Sequence, residues 1–173
     1  MKPVALNVTD ARYPARLVTG LSPQLFAFGN LNLLALPKKT ALFCSARCPG
    51  QAILAAYDQA ARWRDAGRCI ISGFHSPVEK ECLRILLRGS QPVIICPART
   101  LEKLRLTVDW KKSLADGRLL ILSCFSRNEH RVTSTLAACR NEFVAALADE
   151  VWFAHVAPGG QMQRLAQKIA ARD

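Results

Sequence analysis

The chain has 173 residues, 50% hydrophobic and 21% charged, which suits one domain able to bury roughly two-thirds of its unfolded surface and excludes a second full domain. Lysine and arginine number 24 against 13 acidic residues, a net charge of +11 that favours polyanionic partners through steering and counterion release. No stretch approaches the roughly twenty apolar residues of a membrane span, and the opening MKPVALNVTD lacks the apolar core of a signal peptide, so a soluble, cytoplasmic protein without a membrane partner is expected.

Residues 1–37 read as an irregular lead-in that packs on the domain, punctuated by Tyr13-Pro14, Ser22-Pro23 and Leu36-Pro37. From residue 38 to 173 the texture is that of one Rossmann-like domain. Residues 40–45 form a buried strand, 51–66 a helix stopped by Gly67, and 68–72 a second strand. A helix over 77–87 starts at a proline and ends before Gly89, and 92–96 is the third strand. Then follow a helix over 101–114 with Gly117 as its stop, a strand over 118–123, a helix over 134–147, a strand over 150–155 and a closing helix over 161–171. Short apolar runs alternating with helices predict an α/β fold, a doubly wound and mostly parallel sheet of at least five strands with helices on both faces.

The seven cysteines are an odd number, and most sit inside apolar runs such as Cys69-Ile-Ile and Val-Ile-Ile-Cys96. That is the pattern of buried, reduced thiols in a cytosolic protein. No pair has C-x-x-C spacing, Cys44 and Cys48 stand apart from the rest, and the three histidines are scattered, so neither metal nor cofactor is expected.

The stretch from Leu119 to Gly160 carries most of the functional signal. Its two strand ends and its Pro158-Gly159-Gly160 turn, facing one way, predict a phosphate-binding crevice, because open α/β sheets bind ligands beyond the carboxyl ends of their strands. Gly159 and Gly160 would leave backbone donors at a helix N-terminus. The loop from Cys124 to Ser134 brings Arg127, His130 and Arg131, with Phe125 read as exposed, a mixture suited to single-stranded nucleic acid or simply to a solvated basic loop. Arg140 and Asn141 lie mid-helix among apolar neighbours and need a partner, either a structural network or a ligand.

Two earlier turns join them. Residues 44–50 are small apart from Arg47, so backbone N–H groups and a guanidinium can reach a phosphate there, unless this is an ordinary strand-to-helix connection. It is not a G-x-G-x-x-G, and no acid ends the second strand to hold a ribose, which disfavours a dinucleotide. In Ser72-Gly73-Phe74-His75-Ser76-Pro77 the glycine permits close backbone approach, Ser76 caps the next helix, and Ser72 and His75 are read as pointing into the crevice. His75 has no evident carboxylate to orient it, and Glu79 and Glu81 are read as facing solvent in the first helical turn.

In order and spacing these pieces resemble the DNA-processing protein A family (DprA, also called Smf), within the wider group of lysine-decarboxylase-like and nucleotide-binding Rossmann proteins. The resemblance starts at Tyr13-Pro14 with Leu17, Pro23, Leu25 and Gly29. It continues through residues 41–47, Ile71-Ser72-Gly73 and Leu122-Ser123, and ends with Arg140-Asn141 and Ala145 to Asp149. It implies a protein that binds incoming single-stranded DNA in natural transformation and recombination, helps load a RecA-type recombinase, self-associates as a homodimer and performs no catalysis. Carried over by position, the contacts would be Ser45, Arg47, Ser72, Gly73, Arg140 and Asn141. The chain departs from the family where Ser76-Pro77-Val78-Glu79 replaces a glycine-isoleucine-aspartate, and it lacks room for the helical and winged-helix domains that some members carry.

A neighbouring branch, the LOG-type phosphoribohydrolases, uses Pro-Gly-Gly-x-Gly-Thr-x-x-Glu. Here Gln161-Met162-Gln163-Arg164-Leu165 follows the glycines without that threonine or glutamate. A nucleotide sensor or nucleosidase in the same crevice, with His75 or Glu79 as acid-base group, is the alternative expectation, and a pure protein-interaction module is the third.

Overall fold

Strands β3 (Thr40–Cys44), β4 (Ile70–Ser72), β5 (Val93–Ile95) and β6 (Leu119–Ser123) are buried at every position, as apolar runs must be when helices cover both faces of a sheet. The computed structural model of the chain describes residues 2–17, 23–126 and 128–171. Among the described residues the sheet has seven strands in the order β1-β2-β6-β5-β4-β3-β7, with β1 at Val4–Asn7, β2 at Gln24–Gly29 and β7 at Glu150–His155. From β6 to β7 neighbouring strands are parallel. This is the α/β, mostly parallel, doubly wound fold that the alternation predicts.

Helices α1 (Gly50–Asp65), α2 (Pro77–Leu87) and α3 (Val108–Ala115) lie on one side of the sheet, where Ala56, Trp63, Cys82 and Leu86 pack on Leu42, Ile70, Val93 and Ile95. Helices α4 (Ser134–Leu147) and α5 (Gln161–Ala170) lie on the other, where Phe143, Val144, Met162 and Leu165 pack on Ala41, Phe43 and Ile71. Strand β7 is held at its edge by Phe153, 5.5 Å from Phe43, and by Trp152, edge-on to Trp63 at 5.1 Å.

Two sequence expectations are corrected. The lead-in is not irregular: Val4–Asn7 forms β1 and Gln24–Gly29 forms β2, an antiparallel pair that extends the sheet beyond β6. Their residues are short and punctuated by turns, so pairing with β6 and not local pattern makes them strands. Residues 101–107 are not helical either. Lys103 has φ of 57°, which breaks any helix, and α3 starts only after the Thr107 cap, whose hydroxyl accepts the Trp110 N–H.

The lead-in is tied down by Asp149. Its carboxylate accepts the Lys39 backbone N–H at 2.8 Å, lies 3.3 Å from Lys39 Nζ, and meets Arg16 Nη2 at 2.7 Å. Burial alone would raise its pKa, but the hydrogen bonds from Lys39 and Arg16 outweigh this and hold it below the usual carboxylate range. A depressed native pKa means stability that is full above the unfolded value of about 4 and lost as pH falls through the native one. Asp149→Asn should therefore destabilise the protein by about 1.5–3 kcal/mol in denaturant titrations at neutral pH. The gap to the native protein should close in strong acid, and a gap independent of pH would contradict the assignment.

Candidate functional site

The chain lays down β3 to β6 outward in one direction, then returns to place β7 on the opposite side of β3. The switch in direction opens the sheet edge beyond the ends of β3 and β7, where ligands bind in folds of this type. A cavity of about 340 Å³ lies there. The turn after β3 supplies Ser45 and Arg47, the β4–α2 turn His75 and Ser76, α4 supplies Arg140 and Asn141, and the turn after β7 supplies Gly160. Of the strand-end turns expected to line the crevice, those after β3, β4 and β7 do so, and the described residues of the loop after β6 do not. Strands β6 and β7 follow each other in sequence but are separated by three strands in the sheet.

The centre of the site is Arg140, 4% exposed. Its Nη1 donates to the Cys96 carbonyl at 3.0 Å and its Nε to Asn141 Oδ1 at 2.7 Å. Burial pulls this guanidinium below its ordinary pKa, and the charge of Glu79 pulls the other way. Gly73 lies against it: a Cβ at residue 73 would stand 1.6 Å from Arg140 Nη1 and 1.9 Å from Cζ. Gly73 is therefore the seat of the arginine and not itself a lining residue. Ser72 does not point into the crevice as expected; it is fully buried and its hydroxyl accepts the Phe74 N–H at 3.1 Å.

Ser45 is buried and its Oγ accepts the Ala157 N–H at 2.8 Å, which clamps the β3 turn to the β7 turn. Arg47 and His75 are exposed at the rim. In the glycine turn, the Gly159 N–H donates to Gln163 Oε1 at 2.6 Å and the Gly160 N–H to the Ala157 carbonyl at 3.2 Å, so both donors expected for a phosphate are engaged within the chain. Arg131 is exposed in the loop that leads into α4 and is not among the residues lining the cavity, and Arg127 lies outside the described residues.

Phe125 is buried at 5% exposure, against the expectation of an exposed stacking ring. It lies two residues past the end of β6 and is drawn into the protein, its N–H donating to Ser123 Oγ at 3.1 Å. Glu79 is likewise no solvent-facing residue. It is 5% exposed and lines the cavity, Oε1 accepting the Cys44 N–H at 2.9 Å and Oε2 the His75 and Ser76 N–H groups at 2.8 and 3.1 Å. The Ser76-x-x-Glu79 spacing of a capping box is the signal that would have placed it. A second cavity of about 230 Å³ adjoins the first through Asn141 and Gln161 and brings Arg164 and Lys168 to its wall, another basic contribution missed in the sequence.

Among the described residues no cysteine forms a disulfide. Burial pushes Cys69, Cys82 and Cys124 up to about 12, so these thiols are unreactive in the folded protein.

Fold and crevice together define a Rossmann-like domain with its site at the switch point. Residues 5–158 match the family model of DNA recombination-mediator protein A, and the chain belongs to that family. Among solved structures it is similar to DNA processing protein A (DprA) from Streptococcus pneumoniae, with a TM-score of 0.80 at 20% identity, over 99% of this chain and 60% of that one. It is similar also to DNA processing protein A from Helicobacter pylori, a structure described for its single-stranded DNA binding mode, with a TM-score of 0.74 at 22% identity over 98% of this chain and 80% of that one. The chain thus spans well under two-thirds of the length of the Streptococcus protein. No curated protein sequence matches it.

The fit of Arg140 on Gly73 is testable. Gly73→Ala should cost about 2–3 kcal/mol through overpacking against a hydrogen-bonded side chain. In the double variant with Arg140→Ala the two losses should fall short of their sum, and strict additivity in a double-mutant cycle would show that the residues do not meet.

Proposed function

We propose that this chain binds single-stranded DNA along the crevice and acts as a recombination mediator by binding, without turnover of its own. The observation that carries the reading is a continuous track at the switch point. Arg47 and His75 stand on the rim of the first cavity, Asn141 and Gln161 join it to the second, and that one is lined by Arg164 and by Lys168, which is paired with Glu142. A run of cations along a groove follows a phosphate backbone, where a single small ligand would need one focused cluster. Membership of the recombination-mediator family and the description of the Helicobacter homologue support the same ligand. Hand-over of the strand to a RecA-type recombinase, from a homodimer in the cytoplasm, completes the proposal.

The reading without turnover is supported by Glu79, whose two carboxylate oxygens inside the crevice are both engaged by backbone N–H groups of the chain.

Titration of a labelled oligothymidine at two salt concentrations should show binding that weakens with salt by a slope of roughly 0.7 for each phosphate contact. Arg47→Ala and Arg164→Ala should each weaken binding and flatten that slope by about one contact. Absence of binding at low salt would sink the proposal. Incubation with nucleoside monophosphates, followed by chromatography, should yield no free base.

A further inference from the structure

We propose that Glu79 is a specificity-determining residue that closes the floor of the crevice to phosphate, so that a bound strand keeps its phosphates on the rim and turns an uncharged part inward. This rests on the reading of the crevice as a strand-binding site and deepens it.

Backbone N–H groups at strand ends and at the start of a helix are the usual cradle for a phosphate oxygen. In this crevice the Cys44, His75 and Ser76 N–H groups are that cradle, and all three already donate to the two oxygens of Glu79, at 2.9, 2.8 and 3.1 Å. A helix cap alone would need only the bond to the Ser76 N–H. Reaching Cys44 at the end of β3 goes beyond capping and places an anion at the bottom of the cavity, where Glu79 is 5% and Arg140 4% exposed.

The floor therefore already holds one cation and one anion, both out of water. A phosphate entering it would displace the carboxylate from its donors or lie beside it as a buried like charge, and either costs more than it returns. The rest of the inner wall is uncharged: Cys44, Ala137, Ala157 and Met162 contribute there. Cations available to phosphate, Arg47 and Arg164, are exposed and sit outside this floor.

The test uses the whole chain and two probes. The first is inorganic phosphate, followed through the amide NMR signals of Cys44, His75 and Ser76. In the native protein these signals should stay in place when phosphate replaces chloride at equal ionic strength. In Glu79→Gln only one oxygen remains to accept, so either the Cys44 N–H or the His75 and Ser76 N–H groups lose their acceptor, and the signals should shift with saturation. The second probe is a pair of short oligothymidines, one with and one without a 5′-phosphate, compared by fluorescence anisotropy. The native protein should bind both within about twofold, and Glu79→Gln should prefer the phosphorylated one by about tenfold or more, the value of one charge-assisted hydrogen bond.

Saturable shifts of the three amides by phosphate in the native protein, or a tenfold preference of the native protein for the 5′-phosphate, would overturn the assignment. A folded Glu79→Gln protein that gains nothing from phosphate would do the same. Should that variant not fold, the native protein's response to both probes decides alone. Failure of either oligonucleotide to bind at low salt would instead defeat the strand-binding reading, while the inorganic phosphate arm would still judge Glu79.

Discussion

The buried guanidinium of Arg140 is the constraint on which the site is built. It comes from α4 on one face of the sheet, donates to the Cys96 carbonyl at the end of β5, and rests on Gly73 just beyond β4. One side chain thus sets how far α4 stands from two strand ends. A buried cation without partners would cost several kcal/mol, so carbonyl, amide oxygen and the nearby Glu79 charge must all be in place for the helix to seat. This explains the demand for glycine at position 73, where any Cβ would occupy the space of the guanidinium. It also explains why Arg140 and Asn141, adjacent in sequence, are both buried on a helix whose other buried positions are apolar.

Around this centre the charges separate by depth. Inside, Arg140 and Glu79 line the same cavity, both nearly out of water and each held by hydrogen bonds within the chain. Outside, Arg47, Arg131 and Arg164 are exposed and carry part of the excess positive charge of the chain to solvent. Rim charges act over a Debye length of about 8 Å at physiological salt and govern encounter. Floor charges are short-ranged and govern what fits.

Much of the fold was legible in the residues. The α4 helix and β7 strand lie at Ser134–Leu147 and Glu150–His155, where apolar periodicity and run length put them. What escaped was decided by distant neighbours. Residues 101–107 carry Leu101, Leu104 and Leu106 at a spacing that imitates a helix, yet Lys103 takes a left-handed conformation and the segment runs as turns. Phe125 stands in a polar loop and reads as exposed, but its place two residues past the buried β6 pulls the ring inward. Glu79 reads as a solvated first-turn acid until the end of β3 comes alongside and offers it the Cys44 N–H.

Sequence alone determined the alternation of strands and helices from residue 38 onward and the residue types gathered at the turns, because burial and backbone conformation leave a local period in the chain. Only the tertiary structure decided which turns meet. Ser45 and Ala157 bond across 112 positions because β7 crosses back to the far side of β3, and no local pattern encodes that return. It follows from the right-handed crossover and from the need to cover both sheet faces, which are properties of the assembled chain.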